Sequence, residues 1–207
     1  AGPSGLVAAA HLAKMKKKVA VFETKLAPGG GMWGGAMMFS NIVVQKEALH
    51  ILDEFGIGYK PGEQDTVIAD SVEATASLIY HATKAGVKIF NCMSVEDVML
   101  DDKGSRVCGI VVNWAPVTRA GMHVDPLVFR SRAVMDASGH PAALVTIAAK
   151  KNNISLNTPS GGIMGERSLC ALEGERLTVE QTKEVFPGLF VSGMAANGVS
   201  GSFRMGP

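Results

Sequence analysis

Apolar residues recur at helical spacing over Leu6, Ala9, Ala10 and Ala13, behind the turn Gly2-Pro3-Ser4-Gly5, and predict a helix over 2–14. The apolar run 19–22 is too short for a helix and reads as a strand ending at Glu23. A second helical stripe, Leu49, Ile51, Leu52 and Phe55, predicts a helix over 46–55. A third predicts one over 71–85, with Ser71 as N-cap and Gly86 closing the C-terminus. The runs 67–69, 87–90, 133–137 and 189–192 have strand length, the last of them read as the final strand, and 142–151 is helical. The stretches 95–100 and 107–114 flank Asp101-Asp102-Lys103-Gly104, a polar connection of the kind that closes a hairpin.

Strands that alternate with helices pair in parallel through helical crossovers. With the hairpin added, the expectation is a mixed α/β fold: one dinucleotide-binding catalytic domain over 1–207, with an inserted antiparallel β segment at about 94–132. A length of 207 residues suits one domain. With 47% apolar and 19% charged residues, disorder is excluded. A net charge of +1 speaks against a broad nucleic-acid surface. No apolar run approaches the ~18 residues of a membrane span. The three cysteines, Cys92, Cys108 and Cys170, lack metal or disulfide spacing and point to a reducing, cytoplasmic setting. Most of the character lies in the 24 glycines. The Gly- and Met-rich stretch 27–41 is too glycine-dense for a helix and too apolar for a solvated linker.

Gly2-Pro3-Ser4-Gly5 is the second half of a Rossmann G-x-G-x-x-G turn, whose first strand would precede Ala1; both ends of the chain are expected to continue. The acid of that fingerprint belongs about 20 residues on, at the end of the second strand. Glu23 stands there, placed to accept from a ribose diol. Gly2 lets backbone approach a pyrophosphate, and the following helix offers its N–H groups and the positive end of its dipole. Flavoproteins of this layout end a late strand in Gly-Asp, the acid holding the flavin's sugar chain. The corresponding segment here ends Gly193-Met194, and a thioether is a poor acceptor for a sugar hydroxyl. The fold expected is therefore of the Rossmann-like flavoprotein type, with methionine where such proteins hold the flavin through an acid.

Several segments together resemble the thiamine thiazole synthases: Ala27-Pro28-Gly29-Gly30-Gly31-Met32-Trp33-Gly34-Gly35, Ser94-Val95-Glu96-Asp97, Val112-Asn113-Trp114, Asp125-Pro126, Ser138-Gly139-His140 and Arg204-Met205-Gly206-Pro207. The resemblance implies that NAD is a substrate: it loses nicotinamide, its ADP-ribose becomes a ketose (ADP-ribulose), glycine condenses, sulfur enters and an adenylated thiazole carboxylate closes. It implies that Ser4, Glu23, Thr24, Gly31 and Val95 touch the ADP part and Met194 the other end, with His123 and Asp125 on the nucleotide as well. Arg204 is implied to pair with the glycine carboxylate, which suits a guanidinium fork. Asp125 and His140 match iron ligands, and one carboxylate with one imidazole suits Fe(II) with positions left open. The Asp-bearing loop is implied to serve a neighbouring copy, hence a homo-oligomer such as an octamer.

In the eukaryotic branch of that family a cysteine two residues before the Asp-Pro pair gives up its own sulfur. Here the position is His123, so sulfur is expected from outside, as sulfide, in the manner of the archaeal and bacterial branch. His123 is also able to shuttle protons near neutrality. The competing readings are a flavin-dependent oxidoreductase, a nucleotide-binding module without catalysis, and a relative that stops at the ketose.

Overall fold

A computed structural model describes residues 1–205. The chain runs α1 (Pro3–Lys14), β1 (Ala20–Glu23), a 3-10 turn (Gly30–Gly34), β2 (Asn41–Gln45), a second 3-10 turn (Lys46–Ala48), α2 (Leu49–Glu54), β3 (Tyr59–Pro61), β4 (Thr66–Asp70), α3 (Ser71–Lys84) and β5 (Lys88–Asn91). It continues through β6 (Met93–Leu100), β7 (Val107–Trp114), α4 (Ala115–Arg119), β8 (Leu127–Arg130), β9 (Val134–Asp136), α5 (Ala143–Asn152) and β10 (Arg167–Leu169). The last elements are α6 (Ala171–Glu180), β11 (Glu184–Phe186), β12 (Leu189–Val191), α7 (Met194–Ser200) and β13 (Phe203–Arg204).

Two parallel strand pairs carry the nucleotide-binding layout: β1 with β5, and β9 with β12, the latter extended by antiparallel β11. Parallel neighbours need crossovers, and helices supply them. Met93 to Arg130 holds the antiparallel sheet β6-β7-β8, and β2-β4-β3 forms another. Two apolar clusters fill the interior. One joins α1, α2 and α3 to β4 and the strands beside them through Leu6, Phe55 and Leu78; the other joins β6, β7, β9, α5, β12 and α7 through Val112, Val145 and Leu189. Fully buried side chains such as Leu6 and Phe55 each stabilise by about 2–3 kcal/mol. Phe22 of β1 stacks on Phe90 of β5 and meets Phe129 of β8 edge-on, tying the antiparallel sheet to the parallel pair.

The structure corrects the expected boundaries. The N-cap of α3 is Asp70, whose carboxylate accepts from the N–H groups of Val72 and Glu73 at 2.8 Å each. Ser71 is instead buried in the first turn and donates to the Trp33 carbonyl. A carboxylate outcompetes a hydroxyl for two backbone donors. The helix expected over 46–55 is shorter: Lys46 to Ala48 turn as a 3-10 helix and α2 begins at Leu49. The glycine-rich stretch contains a 3-10 turn after all, and Asn41 opens β2. Leu189–Val191 is not the last strand, since β13 follows α7.

Candidate functional site

The N-terminal turn of α1 is the hub of the site. Gly2 is its extended N-cap and makes no side-chain cap, and Pro3 has no N–H, so the first-turn donors stay open toward an anion. Three chain segments close on this turn. Gly2 N–H donates to the Ala137 carbonyl at 3.3 Å, and a Cβ at Gly5 would fall 2.9 Å from that of Ala137, so α1 presses on the end of β9. Gly29 N–H donates to Ala1, and a Cβ at Gly30 would come within 3.3 Å of Gly2 Cα. From the end of β12, the Ser192 hydroxyl donates to Ser4 Oγ at 3.2 Å. Gly193 has φ 62° and ψ −145°, which only glycine adopts without strain, and a Cβ there would lie 2.6 Å from Ser4 Oγ.

Glu23 ends β1 almost buried; its carboxylate accepts from Lys25 N–H at 2.8 Å. Thr24 follows it, exposed. Gly31 lies in the 3-10 turn, where a Cβ would make only ordinary contact with Ala36 at 3.6 Å. Val95 is half-buried on β6 beside a register shift between Val95 and Asp97. Met194 opens α7 directly after Gly193. The structure thus gathers Ser4, Glu23 and Met194 around one turn.

Behind the cradle, β9 ends in Asp136, which is fully buried. Its carboxylate accepts from Ser138 N–H at 2.9 Å, Leu144 N–H at 2.9 Å and Val145 N–H at 3.1 Å, capping α5 and fixing the loop between. That loop presents His140, half exposed, with Nδ1 at 3.0 and 3.1 Å from the two Glu166 oxygens. The His140 carbonyl sits against α7, where a Cβ at Gly198 would be 3.3 Å away. Arg204 is exposed on β13, with no carboxylate within 4.0 Å among the described residues. Its strand passes α6 at Gly174, where a Cβ would lie 2.7 Å from Met205 Cα, and Asn197 Nδ2 donates to the Phe203 carbonyl at 3.0 Å.

Asp125 and His123 sit on the loop after α4, both almost wholly exposed, His123 Nε2 at 4.0 Å from Asp125 Oδ1. Asn113 Nδ2 tethers this loop by donating to the Val124 carbonyl at 3.0 Å. Within one chain Asp125 and His140 make no ion pair, and among the described residues no three His, Cys, Asp or Glu side chains gather into a group able to hold a metal. The donor chemistry nonetheless fits iron: His140 has its Nδ1 engaged and Nε2 open, and Asp125 offers both oxygens.

The Thi4 family model matches residues 1–207. The chain belongs to the Thi4 family. It is 55% identical to the thiamine thiazole synthase of Methanothermobacter thermautotrophicus over 206 residues, covering 100% of this chain and 79% of that protein. It is 55% identical to the thiamine thiazole synthase of Desulfosudis oleivorans over 205 residues, covering 99% and 79%. The crystal structure of Thermovibrio ammonificans THI4 superposes with a TM-score of 0.96 at 50% identity, again over 100% of this chain and 79% of that one. A geranylgeranyl bacteriochlorophyll reductase-like protein of Thermoplasma acidophilum, 16% identical, shares the fold with a TM-score of 0.52 over 72% of this chain and 40% of its own. The Rossmann-like flavoprotein-type fold expected from the half fingerprint is the fold of this Thi4 member.

Asp136, Glu166 and Asn197 escaped the sequence reading. Asp136 had a local signal, an acid just before Ser138 at a strand end that feeds a helix. Glu166 had none, because its partner His140 lies far away along the chain.

Proposed function

We propose that this chain forms the adenylated thiazole carboxylate of thiamine biosynthesis from NAD, glycine and sulfide with Fe(II), by way of ADP-ribulose, as a sulfide-dependent cytoplasmic homo-oligomer, octameric in the arrangement its family implies. Membership of the Thi4 family supports an enzyme of thiazole synthesis; the substrates, metal and assembly are the proposal. One observation carries it: α7 joins the nucleotide cradle to the metal candidate. Its N-cap Gly193 abuts Ser4, and its Gly198 abuts His140. At 1.5 Å rise per residue those points are roughly 8 Å apart along the helix, which puts the loop of His140 within reach of a nucleotide lying across Ser4.

In this reading the open N–H groups of α1 hold the pyrophosphate and Glu23 accepts from the adenosine ribose. Ser4, Thr24, Gly31 and Val95 line the ADP part, and Met194 meets the other end, where a flavin-holding acid is not needed. Arg204 clamps the glycine carboxylate through its planar fork. His140, with Asp125 of a neighbouring copy, would hold Fe(II), whose affinity for sulfur would supply a place for sulfide beside the substrate. His123 stands in the loop with Asp125 and moves a proton as the ring closes.

The test is an oxygen-free incubation with NAD, glycine, Fe(II) and sulfide, followed by mass spectrometry of the small molecules. Nicotinamide release and more than one adenylated thiazole per chain are expected. Accumulation of a ketose without thiazole would make this a relative that stops early. A flavin spectrum in the purified protein would support the oxidoreductase reading, and NAD binding without nicotinamide release the non-catalytic one.

A further inference from the structure

Glu166 has a specific relation to His140. Both of its oxygens lie against Nδ1, at 3.0 and 3.1 Å, and its side chain is 19% exposed. An ionised carboxylate only accepts, so Nδ1 carries a hydrogen, and in the neutral ring Nε2 then keeps its lone pair. That is the state in which an imidazole ligates a metal, and ligating histidines commonly donate their other N–H to a carboxylate. Glu166 is itself held from both sides. Gly165 N–H donates to the Gly198 carbonyl at 3.0 Å, and Arg167 N–H donates to the Ser202 carbonyl at 2.9 Å. The same Gly198 leaves just enough room for the His140 carbonyl. The end of α7 and the segment after it thus fix the carboxylate and the backbone of the histidine together.

We infer that Glu166 is the positioning residue of His140: its carboxylate holds the Nδ1–H tautomer and the ring plane, so that Nε2 is presented to iron. This rests on the iron reading above. It adds a residue outside the motifs that carry the family resemblance, placed by contact alone.

The experiment is anaerobic titration of the purified protein with Co(II), followed by visible absorption, for the unaltered protein and for Glu166→Ala, Glu166→Gln and His140→Ala. NAD affinity is measured in each. The unaltered protein should bind Co(II) and His140→Ala should not. Glu166→Ala should bind about 10–100-fold more weakly. Glu166→Gln, whose amide oxygen still accepts from Nδ1–H, should recover most of that loss, and NAD affinity should stay constant throughout. If His140→Ala loses Co(II) while Glu166→Ala binds as tightly as the unaltered protein, the positioning role is overturned and the iron reading stands. If the unaltered protein and His140→Ala bind alike, the iron reading falls and takes the inference with it. A second readout needs neither metal nor variant: nitrogen-15 NMR of the His140 ring in the metal-free protein should show the proton on Nδ1. A neutral ring whose proton sits on Nε2 overturns the assignment.

Discussion

Two aspartates close to each other in the chain lie in opposite surroundings. Asp136 ends β9 with no exposure, and three backbone N–H groups take up its carboxylate. Asp125 stands fully exposed on a loop, with only His123 at 4.0 Å. A fully buried carboxylate that three backbone donors already engage is out of a ligand's reach; it builds the loop that carries His140. A carboxylate with both oxygens free does nothing for the fold of its own chain, which is what a ligand shared with a neighbouring copy requires. In the proposed function, the difference separates a nucleotide cradle that one chain would complete from a metal site that would need a neighbouring copy.

Exchanging the two losses breaks this comparison most sharply. Asp136→Ala deprives three backbone donors, one buried and two partly buried, of a charged acceptor and should cost about 3 kcal/mol of folding stability. Asp125→Ala should change stability by no more than about 0.5 kcal/mol, as for surface substitutions generally, yet abolish sulfur incorporation while NAD still binds. Chemical denaturation and product analysis of the two variants provide the check. Mixing Asp125→Asn with His140→Ala chains, each inactive alone, should restore partial activity, because some assemblies would pair an intact loop with an intact imidazole. No restoration after verified subunit exchange would return Asp125 to the chemistry of its own chain.

The two halves are also unequally legible in the sequence. Ser4 and Glu23 can be placed because a Rossmann turn, its helix and the strand-ending acid follow each other at fixed local spacing. Asp136 carries the local signal of an acid at a strand end that feeds a helix, but its burial is not written there, because it comes from β12 and α5 packing around it. The region from 153 to 187 is barely readable. Its strands are three residues long, and α6 carries Glu173, Gly174, Glu175 and Arg176 in succession, a polar run that hides a helix. Asp70 and Ser71 both suit an N-cap, and only the observed bonds to Val72 and Glu73 decide between them. The metal pair Asp125 and His140 rests on resemblance, and one chain keeps them apart.

A smaller effect is expected where the cradle is tightest. Gly193→Ala asks an L-residue to hold φ 62° with ψ −145° and puts its methyl 2.6 Å from Ser4 Oγ. Either the backbone turns or Ser4 moves, and both disturb the turn at the start of α1. A strain of about 1–3 kcal/mol is usual for such a conformation. NAD affinity, measured by calorimetry, should fall roughly tenfold, equivalent to about 1.4 kcal/mol. By contrast Gly31→Ala should preserve the fold, since its Cβ meets only ordinary contact with Ala36, and should weaken binding only through the ligand itself. Equal affinity in Gly193→Ala and the unaltered protein would mean that the nucleotide does not lie across Ser4.

The smallest effect is expected at the cysteines, and it bears on the exposed loop. Cys92, Cys108 and Cys170 are free thiols, each only partly buried, and none lies on the loop with His123 and Asp125. A protein that donates its own sulfur converts a cysteine to dehydroalanine and stops after one product. Imidazole has no sulfur to lose, so in the proposed function a loop carrying His123 would stay intact at every turnover. Replacing all three cysteines with Ala or Ser should therefore leave multiple turnover from NAD, glycine, Fe(II) and external sulfide essentially unchanged. Some loss of stability, about 1 kcal/mol per site, is the ordinary cost of altering partly packed side chains. The decisive measurement is the ratio of product to chain in the triple variant, set beside the intact mass of the unaltered protein after reaction. A ratio that stops at one, with one sulfur missing from any of these cysteines in the unaltered protein, would show that the chain consumes itself and that the loop at His123 has no part in admitting sulfide.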